Sequence, residues 1–352
     1  MKILYVDVIL NGHHKPYLKG LLNDPMNNME KVLLIPKDEE DFGVKKYEYQ
    51  KQYDYRKVRD YRQWLSEVAA VIKKEKPDVI HFLYGDVLYR HFGIGLNGLK
   101  AKKTIVTFHQ FRRNRIVDVS LKCLFKKISY GIVHTEYLKK ELNGIGIQNV
   151  VHIEYPQLYD FETETKEQAC KYWKLDPNIP VLGVIGETRY YKGFDILLES
   201  LKYVDGNYQL LIAGKEGYFD RAYIDKNIEN YKDKVTLALK FLSDKELCTA
   251  IAACDYVLLP YRKRFDGASG PLTEAVWARR LVIASDHASL GDIVDRNKLG
   301  IIFQAENAQA LTNAISEALN KKATWNETAE KYRNKIELKT FQGEYRNLYS
   351  KQ

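Results

Sequence analysis

The sequence predicts an α/β protein built from two doubly wound, Rossmann-like parallel-sheet domains that face each other across a cleft. Three observations predict this. Short apolar, β-branched runs recur in two series, helical patterns separate many of them, and one stretch without apolar periodicity divides the series. The runs are near-continuous rather than alternating, which suits parallel strands covered on both faces.

The first series lies at residues 3–8, 32–35, 79–83, 104–108, 131–134 and 150–153. The second lies at 181–185, 209–213, 235–239, 256–259, 281–284 and 300–303. The clearest intervening helix covers 243–254: Ser243 and Glu246 make a capping box, and Leu247, Ala250, Ile251 and Cys254 follow at helical spacing. The divide falls at "YPQLYDFETETKEQ", residues 155–168. With its proline, acidic run and lack of apolar period it reads as a linker. It places an N-terminal domain at 1–160 and a C-terminal domain at 165–335. Tyr345, Leu348 and Tyr349 predict a last helix over 341–352.

At 352 residues the length favours two domains. Apolar content of 45% and charged content of 29% are those of an ordinary soluble globular protein. Cys123, Cys170, Cys248 and Cys254 form no CxxC pair. That argues against a zinc site or disulfide scaffold and fits a reducing, cytoplasmic compartment. The apolar run at the N-terminus is broken by Asp7 and lacks a small-residue cleavage site, so it reads as a buried strand and not a signal peptide. No window approaches the ~18 apolar residues of a membrane span.

The net charge of +9 is unevenly placed: residues 100–127 hold nine Lys/Arg, among them Arg112, Arg113, Arg115, Lys122, Lys126 and Lys127, against one acid, Asp118. Such a patch suits an anionic partner: a lipid surface, a phosphate-bearing substrate or nucleic acid. Val117, Leu121, Leu124, Phe125 and Ile128 share a helical face there. Two readings stay open, a sheet-covering helix with a solvated basic edge or a peripheral membrane contact that locates a lipid-linked acceptor.

The unusual residues follow strands, where doubly wound sheets bind ligands. In "GETRYYKG", Gly186 allows a tight turn off the strand. Arg189 and Lys192, three apart, read either as a diphosphate clamp or as basic residues facing solvent. Gly214 follows the next strand in "IAGKEG". In "FDGASGPLTEA", Pro271 suits the first helical position with Gly270 as a permissive cap. The small residues Gly267, Ser269 and Gly270 would let an anion approach the amides of Leu272 and Thr273. Glu274, placed in the first turn, can accept from vicinal hydroxyls, and Asp266 from others on the same ligand. Two acids beside a helix N-terminus fit a phosphorylated, hydroxyl-rich ligand such as a nucleotide sugar. His109 ends a strand in "VTFHQ" and is either structural or catalytic. His13 and His14 are adjacent, so most backbones would not turn both onto one metal. No D-x-D, G-x-x-x-x-G-K-[ST] or G-x-G-x-x-G occurs, which argues against P-loop and nicotinamide sites and removes one common metal–diphosphate arrangement.

In this order the segments resemble retaining glycosyltransferase family 4, which has the GT-B fold. The resemblance rests on "IGETRYYKGFDILLESL", "FLSDKELCTAIAACDYVLLPY", "DGASGPLTEA", "LVIASD", "GDIV", "VTFHQ" and "GIVHTEYLKKEL". It implies that Arg189 and Lys192 hold the donor diphosphate and that Glu274 binds the ribose. Asp266 and the backbone at 270–272 would hold the sugar and phosphate, and His109 would line the pocket. It implies transfer with retention from a UDP- or GDP-linked sugar to a glycan or lipid-linked acceptor, with no cofactor and no bound metal. It also implies a last helix that crosses back onto the first domain. The chain departs from the family pattern at Asp266 (usually Glu), at Arg279 and Leu281 (usually Gly and Pro), and at the glycine-rich loop, reduced to Gly12. An epimerase or phosphorylase on the same fold is an alternative. So is a non-catalytic protein that binds anionic lipid or nucleic acid through residues 100–127, although such a protein has no use for Arg189, Lys192 and Glu274, and no nucleic acid is expected.

Overall fold

The structure is a computed structural model of the protein and describes residues 1–26, 28–159, 164–321 and 324–351. The chain forms two compact units: Met1–Leu158 with Leu338–Gln352, and Tyr159–Glu337.

The first unit is a seven-stranded sheet of β1 (Lys2–Val6), β2 (Glu30–Ile35), β3 (Lys45–Glu48), β4 (Val79–Phe82), β5 (Lys103–Phe108), β6 (Tyr130–Val133) and β7 (Val150–His152). Its order is β3-β2-β1-β4-β5-β6-β7, with each neighbouring pair parallel. Because helices cover both faces, Leu4, Ile80 and Val106 at strand centres are fully buried. β3 was not foreseen. Its sequence, KKYE, has no apolar run because it is an edge strand with exposed ends. Lysines there discourage pairing with other chains, and Lys45 pairs with Glu75 at 2.6 Å.

The last helix, Leu338–Ser350, belongs to this unit and begins three residues earlier than its apolar spacing indicated. Phe341, Tyr345, Leu348 and Tyr349 are buried. The Tyr345 and Tyr17 hydroxyls lie 2.5 Å apart, the Tyr349 hydroxyl meets His81 Nδ1 at 2.8 Å, and Arg346 holds Asp24 at 2.5 and 2.6 Å.

The second unit is a six-stranded sheet of β8 (Val181–Ile185), β9 (Gln209–Ala213), β10 (Val235–Ala238), β11 (Tyr256–Leu259), β12 (Leu281–Ser285) and β13 (Gly300–Phe303). The order is β10-β9-β8-β11-β12-β13, again parallel. The helix Asp244–Ala253 starts with the expected capping box: the Glu246 amide donates to Ser243 Oγ at 3.3 Å, and the Ser243 amide to Glu246 Oε2 at 3.0 Å.

The stretch read as a linker is more structured than its composition indicated. Tyr155–Gln157 are buried, and a second capping box, Thr165 with Gln168, opens the helix Lys166–Trp173. The acidic run at 160–163 lies outside the described residues.

Candidate active site

Each sheet reverses its order once, between β1 and β4 in the first unit and between β8 and β11 in the second. At such a point the two following loops run in opposite directions and open a crevice beyond the carboxyl ends of the strands. Gly12 follows β1, and Gly186, Lys192, Asp266 and Glu274 follow β8 and β11, while His109 and Gly214 follow the neighbouring strands β5 and β9.

Gly186 follows β8 with φ +105°, and a Cβ there would stand 2.5 Å from Lys192 Nζ. Gly214 follows β9 with φ +150°, and its Cβ would stand 2.3 Å from the Gly186 carbonyl oxygen. Only glycine lets the two strand ends and the lysine share this space. The tight turn Tyr190–Lys192 folds Lys192 back beneath the end of β8, where its buried Nζ donates to the Ile185 carbonyl at 3.2 Å. Burial pushes its pKa down to about 8, and Glu274 offsets part of that fall. Arg189 differs: it is exposed, and its guanidinium forks onto Glu187, 2.8 Å from Nε and 2.7 Å from Nη2.

The helix Gly270–Trp277 starts one residue earlier than read from the sequence. Ser269 is its N-cap, with Gly270 and Pro271 the first two helical residues. The Leu272 amide donates to Ser269 Oγ at 3.3 Å and the Thr273 amide to the Ser269 carbonyl at 3.1 Å. Neither amide is therefore free for an anion, as the sequence reading had it, and the Gly270 amide is the one left outside the helix's own bonds. Glu274 stands one residue beyond the first turn and is buried. Among the described residues no donor reaches its Oε2. Burial pushes its pKa up to about 7, with Lys192 pulling it down. An ammonium and a carboxylate thus occupy the same crevice, each held near its titration point by loss of water. Gly267 is buried in the approach to this helix.

Asp266 does not stand open. Its Oδ1 meets His287 Nε2 at 3.2 Å, and its carbonyl accepts from Ser289 Oγ at 2.7 Å. His287 was missed in the sequence, although it follows β12 as His109 follows β5. Just beyond it Ala288 is held at φ +50°, and Arg279 at φ +54°, both left-handed positions without glycine. Arg279 uses its exposed side chain to grip Glu330 at 2.7 and 2.9 Å.

In the first unit, His109 is buried after β5, and its Nε2 donates to the Leu83 carbonyl at 3.1 Å. Burial, and then His13 and His14, hold its pKa well below the usual histidine value. The ring is neutral, and Nδ1 is left as its acceptor. His13 and His14, adjacent in sequence, were expected to diverge. His14 begins the helix His14–Leu22 with His13 just before it, and the rings of His13 and His14 come to 4.9 and 5.1 Å from that of His109. His14 Nδ1 donates to Asp7 Oδ2 at 3.2 Å. Among the described residues these three histidines are the group able to bracket a metal, with their ligand atoms within 4.8 Å of one another. Gly12, at φ +64°, turns the chain into this helix beside open space.

The basic stretch divides by role. Arg113 is engaged by Asp118 (2.9 Å, twice) and by Glu141, and Lys127 Nζ donates to the carbonyls of Phe92 and Gly93 at 3.0 and 3.1 Å. Arg112, Arg115, Lys122 and Lys126 are exposed. On the helix Arg115–Phe125 the inner face buries Leu121, Leu124 and Phe125, while Ile116 and Val119 face outward, 72% and 55% exposed. No described helix is long and apolar enough to cross a membrane.

Residues 166–338 match the family of glycosyl transferases, group 1. This part of the chain is a group 1 glycosyl transferase domain. The match covers nearly the whole second unit, including Lys192, Asp266 and Glu274. The chain is also 29% identical over 133 residues to an uncharacterised glycosyltransferase of Methanocaldococcus jannaschii, 37% of this chain and 35% of the relative. It is 25% identical over 191 residues to a glycogen synthase of a Marinomonas strain, 51% of this chain and 39% of the relative. It thus matches little more than a third of the length of these curated relatives. Among solved structures, the Anabaena protein HepE in complex with UDP superposes with a TM-score of 0.79 at 15% identity, covering 99% of this chain and all of that one. That likeness shows the fold, GT-B, around the group 1 domain.

Proposed function

We propose that the protein is a retaining glycosyltransferase that moves a sugar from a UDP- or GDP-linked donor to a glycan or lipid-linked acceptor, in the synthesis of a surface polysaccharide or glycoconjugate. The observation that carries the reading is the buried pair Lys192 and Glu274, with Oε2 of the acid lacking a donor. Vicinal ribose hydroxyls supply such donors, and a diphosphate supplies the charge that a buried ammonium lacks. Lys192, joined by Arg189 once it leaves Glu187, would stabilise charge on the departing diphosphate. Asp266, with the Gly270 amide, would hold the sugar, and neutral His109 would accept from a sugar hydroxyl. The group 1 domain over the same residues supports this. So does the fold shared with a protein solved with UDP.

The test is a panel of UDP- and GDP-sugars, read by thermal shift and by nucleotide release with and without acceptor. Donor-dependent release with the anomeric configuration kept is expected. Absence of any donor binding, or an unaltered Glu274→Ala variant, would overturn the reading, and epimerised donor in acceptor-free NMR would favour the epimerase. A cytoplasmic protein that touches the inner membrane face is favoured by one observation, the outward Ile116 and Val119 beside Arg115, Lys122 and Lys126. Sedimentation with anionic vesicles but not with neutral ones is its expected signature.

A further inference from the structure

A groove of about 510 Å³ lies in the first unit, lined from the segments that follow β4 and β5, among them Asp86, Tyr89, Arg90, Phe111 and Arg112. Its size is that of a small-molecule site, and it stands beyond the carboxyl edge of a doubly wound sheet, where such sites form. Three tethers fix its walls. Lys127 clamps the carbonyls of Phe92 and Gly93, Arg113 ties the approach to the helix Arg115–Phe125 through Asp118 and Glu141, and Ser120 Oγ donates to the Tyr89 carbonyl. Phe92, another lining residue, is held at φ +55°. A bulky side chain rarely adopts that backbone, and strain of this kind gathers where a surface must be shaped for a ligand.

The groups on these walls are of three kinds. Asp86 places one carboxylate oxygen against the Tyr84 hydroxyl at 3.3 Å, and its other oxygen is buried. Burial raises its pKa to about 6. Tyr89 and Phe92 supply aromatic surface, with Phe111 buried beneath them in the core. Arg90 and Arg112 are exposed at the groove and, unlike Arg113, form no ion pair among the described residues. Aromatic faces and a carboxyl group suit a pyranose with its hydroxyls, and two exposed guanidinium forks suit a carboxylate or phosphate.

We propose that this groove is the acceptor subsite and that it takes a saccharide carrying an acidic group, with the sugar against the aromatic wall and Asp86 and the anion on Arg90 and Arg112. The word acceptor rests on the glycosyltransferase reading above; the acidic-saccharide site does not.

The experiment uses the full chain and three probes: a glucuronate-terminated disaccharide, its neutral glucose counterpart, and vesicles of anionic phospholipid. Calorimetry on the wild type is expected to show the acidic disaccharide binding about 10-fold or more tighter than the neutral one, the range of one or two charge-assisted hydrogen bonds. The Arg90→Ala/Arg112→Ala variant should lose that preference and keep the wild-type unfolding midpoint and donor-induced thermal shift. Asp86→Asn should weaken both disaccharides together. Equal affinity for the two disaccharides, a preference that survives in the double variant, or loss of vesicle binding alone overturns the proposal. If the arginine-dependent preference appears while no nucleotide sugar shifts the wild type, the saccharide site stands and the glycosyltransferase reading fails.

Discussion

The two strand-order reversals of this chain lie in sheets whose first six strands follow the same order, yet they carry opposite chemistry. Beyond β8 and β11, an ammonium and a carboxylate are buried together, Lys192 and Glu274, each pushed toward neutral pH by loss of water. Beyond β1, β4 and β5, the corresponding place holds His13, His14 and His109 against Asp7, with His109 kept neutral. The shared strand order fixes where a crevice forms. The residues that line it decide whether it is suited to charge, as a diphosphate requires, or to hydroxyls, as a sugar requires.

The comparison is most exposed at Lys192. Lys192→Ala should lower nucleotide release by about 10²–10³-fold, the effect of removing one preorganised charge from a transition state. Arg189→Ala should cost only about 10-fold, because its exposed guanidinium is already engaged by Glu187. Equal losses would mean that burial is not what separates the two residues.

Glu274→Gln comes next. It should weaken nucleotide binding about 10-fold or more, as loss of hydrogen bonds to a charged group does, when measured by calorimetry with UDP and GDP. The same variant should be more stable than the wild type at pH 8. Folding raises the Glu274 pKa from 4.5 to about 7, so the folded state holds the proton more tightly. That contribution is complete below 4.5 and is lost as pH rises through 7, and glutamine escapes the loss. A variant that melts lower at pH 8 would contradict the burial argument.

Nucleotide affinity should also trace a narrow pH optimum. Glu274 must be ionised, which requires pH above about 7, and Lys192 protonated, which requires pH below about 8. Affinity should fall on both sides of that window. In Glu274→Gln the acid limb near 7 should vanish, and the basic limb should move below 8, because the carboxylate that holds the Lys192 pKa up is gone. A flat profile from pH 6 to 9 would remove the pair from the binding site.

The smallest effect is expected from Ala288→Gly. Ala288 sits at φ +50° beside His287 and Asp266. Glycine there should stabilise the second unit by at most about 1 kcal/mol, the left-handed cost less the added chain entropy, as read by urea unfolding. Any accompanying loss of donor binding would show that the strained backbone aims Asp266.

Much of the fold was legible because buried parallel strands must be apolar on both faces, and that requirement is written as near-continuous runs. β3 escaped because an edge strand is free of it. The buried residues Tyr155–Gln157 escaped because a coil can pack without any period. In the site, the residue types at the strand ends were legible and their partners were not. Nothing in "SDHAS" tells that His287 reaches Asp266, and nothing in "NGHHK" tells that two neighbouring rings turn toward His109.

The sequence by itself determined the two doubly wound sheets, a helix beyond β11 and the set of side chains at the strand ends, because period, proline and glycine signals are local properties. Only the tertiary structure decided which of those side chains lose their water. Lys192 and Glu274 became a buried pair, Arg189 stayed outside with Glu187, and Arg113 and Lys127 were spent on holding walls while Arg90 and Arg112 were left open at a groove. Burial and partner choice depend on residues distant in the chain, and no local pattern encodes them.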